Sequence, residues 1–136
     1  MLAVNRALMD RYADAWKRAD AEAAMECYAG EIVLKLPGGV GLGGHVRGRE
    51  AVVGTALTVF AALGELTEMV VKDMLFSSHG AAMFATETAY LDDGAVSWGW
   101  AAHYTIRAGK ITEISVYVDD QAAVTRVLAA RMRRAS

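Results

Sequence analysis

The spacing of apolar positions along this chain changes once, near residue 65, from the helical period of about 3.6 to the strand period of 2. The change divides the chain into a helical first half and a stranded second half. Over residues 3–18, Leu8, Tyr12, Ala15 and Trp16 recur at helical spacing, while Asp10, Arg11, Asp14, Lys17 and Arg18 fill the other face, which predicts an amphipathic helix. Asp20 is placed to cap a short second helix, AEAAMECYA, that Gly30 can end. A short strand, Ile32 to Leu36, then runs into Pro37. The next run, GGVGLGGHVRG, lacks the lysine and Ser/Thr of a phosphate-binding loop and reads as a flexible lip. Residues 49–62, REAVVGTALTVFAA, predict a third helix with Val52, Ala56, Val59 and Phe60 facing inward.

Four strands follow, over 65–76, 81–91, 96–107 and 111–118, with turn signals at Gly80, Asp93-Gly94 and Ala108-Gly109. Consecutive hairpins make an antiparallel meander. Asp119 and Asp120 are placed to cap a last helix, QAAVTRVLAARM. Alternation puts Trp98, Trp100, Ala102, Tyr104 and Ile106 on one face of the third strand, and that face is the inner one. A three-residue loop at 107–109 would pair Ile106 with Lys110 and bring Ile114, Val116 and Val118 to the same side.

The strand AAMFATETAYL has two readings. A two-residue Asp93-Gly94 turn pairs 92 with 95, sets Glu87 opposite Trp100 and points its carboxyl inward. A three-residue Asp92-Asp93-Gly94 turn slips the register by one and sends Glu87 to solvent. The first is preferred, because it gathers Thr86 and Thr88 with Ser97, His103, Thr105 and Ser115 on the outer face. A lone carboxyl among tryptophans and alanines is desolvated, which raises its pKa and suits it to proton transfer near neutrality. Small alanines opposite the indoles leave room for a ligand.

Composition narrows the classes of partner. At 136 residues the chain is the size of one domain, taken as 1–136. Fourteen basic against sixteen acidic residues leave no field to draw a phosphate backbone, so nucleic acid is not expected. The cluster Arg131, Arg133 and Arg134 suits the C-terminal end of a helix, where the dipole favours cations. A hydrophobic fraction of 54% comes with no uninterrupted run of the roughly 18 residues that a membrane span needs. Apolar surface must therefore be buried in a core, a pocket or a subunit interface. Phe84, Tyr90 and Tyr117 on the outer sheet face predict a homodimer joined there. The first sixteen residues carry charges and no cleavage site, so they read as a helix and a cytoplasmic location is expected. Cys27 is the one cysteine, which leaves no disulfide and no thiol cage for a metal; neither metal nor cofactor is expected.

The opening RYADAW…AD…ECYAGEIVLKLP, the helix GREAVVGTAL and the closing AGKITEISVYVDD resemble the nuclear transport factor two-like superfamily, in its SnoaL-like polyketide cyclase and ketosteroid isomerase-like branch. The resemblance implies an α+β fold, a cone-shaped curved antiparallel sheet wrapped around N-terminal helices and enclosing an apolar pocket. It also implies that Tyr12 stands where the isomerases place an oxyanion-stabilising tyrosine, with Trp16 one turn later in the same cavity. The isomerase base position holds Leu36, and the second acid position holds Ala102. The aspartate of limonene-type epoxide hydrolases falls at about Val116, and His45, His79 and His103 do not make the pair of scytalone dehydratase.

Two classes of function remain. One is a cofactor-independent isomerase, cyclase, lyase or hydrolase acting on a small apolar cyclic or polyketide-like molecule, with Glu87 as acid or base and Tyr12 as oxyanion donor. The other is a non-catalytic binding or accessory protein of the same fold. In both, the lining residues are Trp16, Tyr28, Thr55, Val59, Met83, Trp98, Trp100, Val116 and Val118.

Overall fold

The computed structural model describes residues 2–36, 44–60 and 67–135, without the side chains of 59, 60 and 131–135. Helix α1 (Leu2–Lys17) buries Asn5, Leu8, Met9, Tyr12 and Ala15, positions three or four apart that form one stripe. Helix α2 (Ala21–Glu26) starts from Asp20, whose carboxylate accepts the Ala23 N–H at 3.0 Å. It stops at Glu26 and not at Ala29, because β1 (Tyr28–Leu36) begins at Tyr28 and takes Gly30 into the strand. Tertiary partners decide this: Tyr28 is fully buried opposite Ile111, and the Ile111 N–H donates to the Cys27 carbonyl at 2.8 Å.

Strand β2 (Gly44–Arg47) returns along β1, with Leu36 opposite Gly44 and Val33 opposite Arg47. The end of the predicted lip is therefore a strand, and His45 is exposed on it opposite Lys35. Pro37 and the rest of that lip, to Gly43, lie outside the described residues. Helix α3 (Arg49–Thr55) follows, and its continuation Ala56–Phe60 widens to a π-helical turn. Val52 and Val53 are its buried residues. The side chains of Val59 and Phe60, and residues 61 and 62 of the predicted helix, lie outside the description. The Arg49 Nε–H donates to the Tyr28 carbonyl at 2.9 Å and ties α3 to β1.

The second half supplies β3 (Thr67–Ser77), β4 (Gly80–Leu91), β5 (Gly94–Arg107), β6 (Lys110–Val118) and helix α4 (Gln121–Ala135). One curved, unclosed sheet results, in the order β2-β1-β6-β5-β4-β3. Every neighbouring pair is antiparallel except β1 and β6, which run parallel, so the sheet is not the wholly antiparallel one expected. Helix α1 lies on β3 and β4, α3 on β1, and α4 on β4 and β5, so helices from both ends of the chain line the sheet.

Registers differ from the expected ones in detail and agree in facing. The β4–β5 turn is two residues long but consists of Asp92 and Asp93, with Leu91 opposite Gly94. The register moves by two, an even number, so Glu87 stays inward and faces Trp98 instead of Trp100. At the β5–β6 turn, Ala108 and Gly109 both have positive φ, 51° and 73°, the mirror-image turn that suits strand twist. That turn pairs Arg107 with Lys110 and leaves Ile106 opposite Ile111, not Lys110. A bulge between Thr105 and Ile106 then restores the facing, placing Ile114, Val116 and Val118 opposite Tyr104, Ala102 and Trp100. Asp120 caps α4 through the Ala123 N–H at 3.0 Å. Asp119 does not share that role, since its carboxylate accepts the Gly99 N–H at 2.8 Å and closes the end of the β5–β6 ladder. No described helix is long and apolar enough to cross a membrane.

Candidate active site

Glu87 is 8% exposed in the middle of β4, on the face that the helices cover. Across the strands it meets Trp98 on one side and Met69 on the other. Thr67, one diagonal step away, donates its hydroxyl to Glu87 Oε2 at 2.8 Å. Burial pushes the Glu87 carboxyl above its ordinary value, and the Thr67 hydroxyl and the nearby Trp100 indole N–H oppose that rise. The indole approach falls short of hydrogen-bond geometry, since Trp100 Nε1 is buried with no partner among the described residues. An orphan donor of this kind costs about 1–3 kcal/mol. On the open side of the acid, Met69 and Val71 remain 49% and 48% exposed although β3 points them inward.

Thr67 was not among the residues singled out from sequence. Its facing depends on a bulge between Val71 and Asp73 that reverses the alternation of β3 halfway along. Counting back from the two-residue Ser78-His79 turn without that bulge would place Glu68 and Lys72, not Thr67, on the inner face. The signal available was the cost of that alternative, two charges turned inward next to Glu87.

Tyr12 lies elsewhere on the same face. Its hydroxyl is hydrogen-bonded to that of Tyr28 at 2.7 Å, and its ring packs on Tyr104 at 5.9 Å and edge-on to Trp16 at 6.2 Å. Burial holds the Tyr12 phenol well above its ordinary value, with the neighbouring Tyr28 adding to the effect. Burial likewise pushes Tyr28 up to about 12, against the Tyr12 hydrogen bond, and raises Tyr104 further. Tyr104 faces Ala81 and Glu87 faces Trp98, six positions apart along β5, roughly 20 Å at about 3.3 Å per residue. The structure therefore does not bring Tyr12 and Glu87 together.

The other expected lining residues do not gather at one place. Trp98 is 4% exposed and belongs to the core, whereas Trp100 and Met83 are half-buried around the acid. The Thr55 hydroxyl is committed to the Ala51 carbonyl at 2.9 Å within its own helix. Val116 and Val118, with Leu36, Lys35, Ser115 and Tyr117, line an open groove of about 270 Å³ where β1 ends and β6 runs on. That groove is one strand removed from the acid. Trp100 stands between the two, opposite Val118 on one side and Ala85 on the other. Among its described lining residues the groove has no buried titratable group, in contrast to the acid on β4. Among the described residues no three His, Cys, Asp or Glu side chains come together to hold a metal ion. Cys27 is buried, and its thiol is pushed up by desolvation.

A curved sheet lined by helices is an arrangement with relatives. Residues 9–114 match the model of the SnoaL-like domain. The chain belongs to that family. Its SnoaL-like fold is close to that of Bal32a from a soil-derived mobile gene cassette, with a TM-score of 0.77 at 18% identity over 93% of this chain and 97% of that one. TerC, in a structure co-crystallised with polyporic acid, gives a TM-score of 0.74 at 18% identity over 93% and 98% of the two chains. A putative SnoaL-like polyketide cyclase from Jannaschia sp. CCS1 gives 0.70 at 15% identity over 94% and 91%. No protein of curated function matches the sequence. Identities this low establish the SnoaL-like architecture and leave the reaction to be argued from the site.

Proposed function

We propose that this SnoaL-like chain is a cofactor-independent acid/base catalyst for a small apolar cyclic or polyketide-like molecule, with Glu87 carrying the proton. The observation behind this reading is a carboxyl 8% exposed on an apolar wall, with one hydroxyl as its hydrogen-bond partner. Burying a charge there is costly, and a chain selected for stability alone would place an apolar residue at that position. Burial raises the carboxyl above its ordinary value and makes it a stronger base, the property that a group taking up and returning a proton needs. The polyporic acid in the TerC crystal and the polyketide cyclase description of the Jannaschia protein indicate which molecules to try first.

Tyr12 is left out of this proton transfer, because its hydroxyl is paired with Tyr28 at the far end of the face. That separation also favours one rival reading, a binding or accessory protein in which Glu87 only orients its ligand. The two separate in an isotope-exchange experiment on an activated cyclic ketone. The enzyme accelerates exchange of the α-protons, and Glu87→Gln loses roughly a hundredfold or more of that rate while keeping the affinity. Full exchange activity in Glu87→Gln, or binding with no exchange in the parent, would refute catalysis by Glu87.

The outer face of the sheet supports a second proposal, self-association into a homodimer. Val70, Phe84, Tyr90 and Tyr117 are all more than 40% exposed there, a mixed apolar surface of the kind that interfaces cover. Light scattering at micromolar concentration should give twice the 14.6 kDa chain mass, and a 14.6 kDa particle would end the proposal.

A further inference from the structure

Among the described residues, two buried side-chain nitrogens have no hydrogen-bond partner, Trp100 Nε1 and Gln121 Nε2. Buried polar groups in folded proteins are nearly always paired, so an orphan donor beside a candidate site asks for an acceptor from outside the chain. An indole N–H only donates. Trp100 stands one diagonal step from Glu87 across the β4–β5 ladder, on the same face. Gln121 opens α4 three residues after Val118, which itself stands opposite Trp100. The surroundings are apolar: Met69 and Val71, both about half exposed, with Met83, Ala85 and Ala89.

We propose that Trp100 Nε1 is the donor that selects the ligand, accepting only molecules with a carbonyl-type oxygen placed beside the Glu87 carboxyl, with Gln121 Nε2 as a secondary donor. The acceptor has to be neutral, because a carboxylate in that position would meet the Glu87 carboxyl, on which no described basic side chain acts. A ketone oxygen on the indole N–H turns its α-carbon toward Glu87, which links substrate choice to the proton transfer proposed above. The inference rests on that reading for the location of the site and adds the group that the ligand must present.

The test uses a matched pair of probes, 2-acetylnaphthalene and 2-isopropylnaphthalene, which share shape and differ in the acceptor oxygen. Both are titrated into the ¹⁵N-labelled protein and into Trp100→Phe. The parent should bind the ketone roughly tenfold more tightly than the hydrocarbon, and Trp100→Phe should erase that preference while changing hydrocarbon affinity less than about twofold. The indole N–H signal of Trp100 should move downfield with the ketone and not with the hydrocarbon. Equal affinity for the two probes, equal weakening of both in Trp100→Phe, or an unmoved indole signal in the ketone complex overturns the proposal. Should Trp100→Phe fail to fold, the indole signal in the parent decides alone. Ketone selectivity without α-proton exchange leaves this inference standing and refutes the catalytic one; exchange that needs Glu87 but not Trp100 does the reverse.

Discussion

The inner face of the sheet has two ends built on opposite principles. At one end Tyr12, Tyr28 and Tyr104 pack ring on ring, with the Tyr12 and Tyr28 hydroxyls paired and both side chains buried. At the other end Glu87 is held by one threonine, the Trp100 N–H has no partner among the described residues, and Met69 and Val71 remain half exposed. Both ends bury polar atoms, so burial of polarity alone does not mark a site. What separates them is pairing: the Tyr12 and Tyr28 hydroxyls bond each other, whereas the glutamate end keeps a buried donor with no partner among the described residues. The tyrosine placed by family resemblance as the oxyanion donor is buried, with its hydroxyl paired to that of Tyr28. The carboxyl found by alternation is the better candidate.

The largest effect that can break this comparison comes from opposite substitutions at the two ends. Glu87→Leu removes a buried charge from an apolar wall and should stabilise the protein by about 1–4 kcal/mol while abolishing activity. Tyr12→Phe deletes one hydroxyl and leaves Tyr28 with a buried unpaired one, which should cost about 1–3 kcal/mol and leave activity within a few-fold. The gain in Glu87→Leu has a pH signature. Glu87 is raised above its ordinary value of 4.5, so the native state binds the proton more tightly than the unfolded chain does. Parent stability is then greatest below the ordinary glutamate pKa and falls as pH rises through the folded pKa. The advantage of Glu87→Leu should be small at pH 4 and largest at pH 8 in urea denaturation. A pH-independent difference, or destabilisation by Glu87→Leu, would show that the carboxyl belongs to the structure as Tyr12 does.

How far each end was legible follows from what sets it. Facing in β4, β5 and β6 was readable because it depends only on whether a register shift is even or odd. The observed β4–β5 register differs by two from the preferred one and keeps Glu87 inside. The β5–β6 bulge likewise offsets an unforeseen two-residue turn. Pairing partners were not readable, since which of Asp92, Asp93 and Gly94 occupy the turn is settled by packing between strands distant in sequence. The helix-to-strand switch at Cys27 was missed for a similar reason. AEAAMECYA carries no local stop before Gly30, and the partner that draws Tyr28 into a strand is Ile111, on the last strand. The parallel β1–β6 pair that contains it is invisible to a reading built from consecutive hairpins. At the site, Glu87 and Trp100 were readable by alternation, whereas Thr67 needed the β3 bulge. The separation of Tyr12 from Glu87 needed the position of α1 along the sheet, which no periodicity within α1 encodes.

The smallest expected effect sharpens the comparison by asking what Glu87 does rather than whether it matters. Thr67 donates to Glu87 Oε2 at 2.8 Å, and this bond favours the ionised carboxylate. Thr67→Val keeps the shape of the side chain and deletes the donor, so the Glu87 pKa must rise further. If Glu87 works as a base, its active form is the carboxylate, and the acidic limb of the pH–rate profile should move to higher pH, with activity below the midpoint falling severalfold, less than about tenfold. If Glu87 works as an acid, its active form is protonated, and the alkaline limb should move to higher pH instead, extending activity upward. The plateau should change little in either case, because the reacting carboxyl stays in place. Stability should change in the same direction as for any lost hydrogen bond, by about 1 kcal/mol, and most of all at high pH where the carboxylate loses its partner. A Thr67→Val profile that superimposes on the parent along both limbs would mean that the group titrating in the rate is not Glu87, and the glutamate end would lose its claim over the tyrosine end.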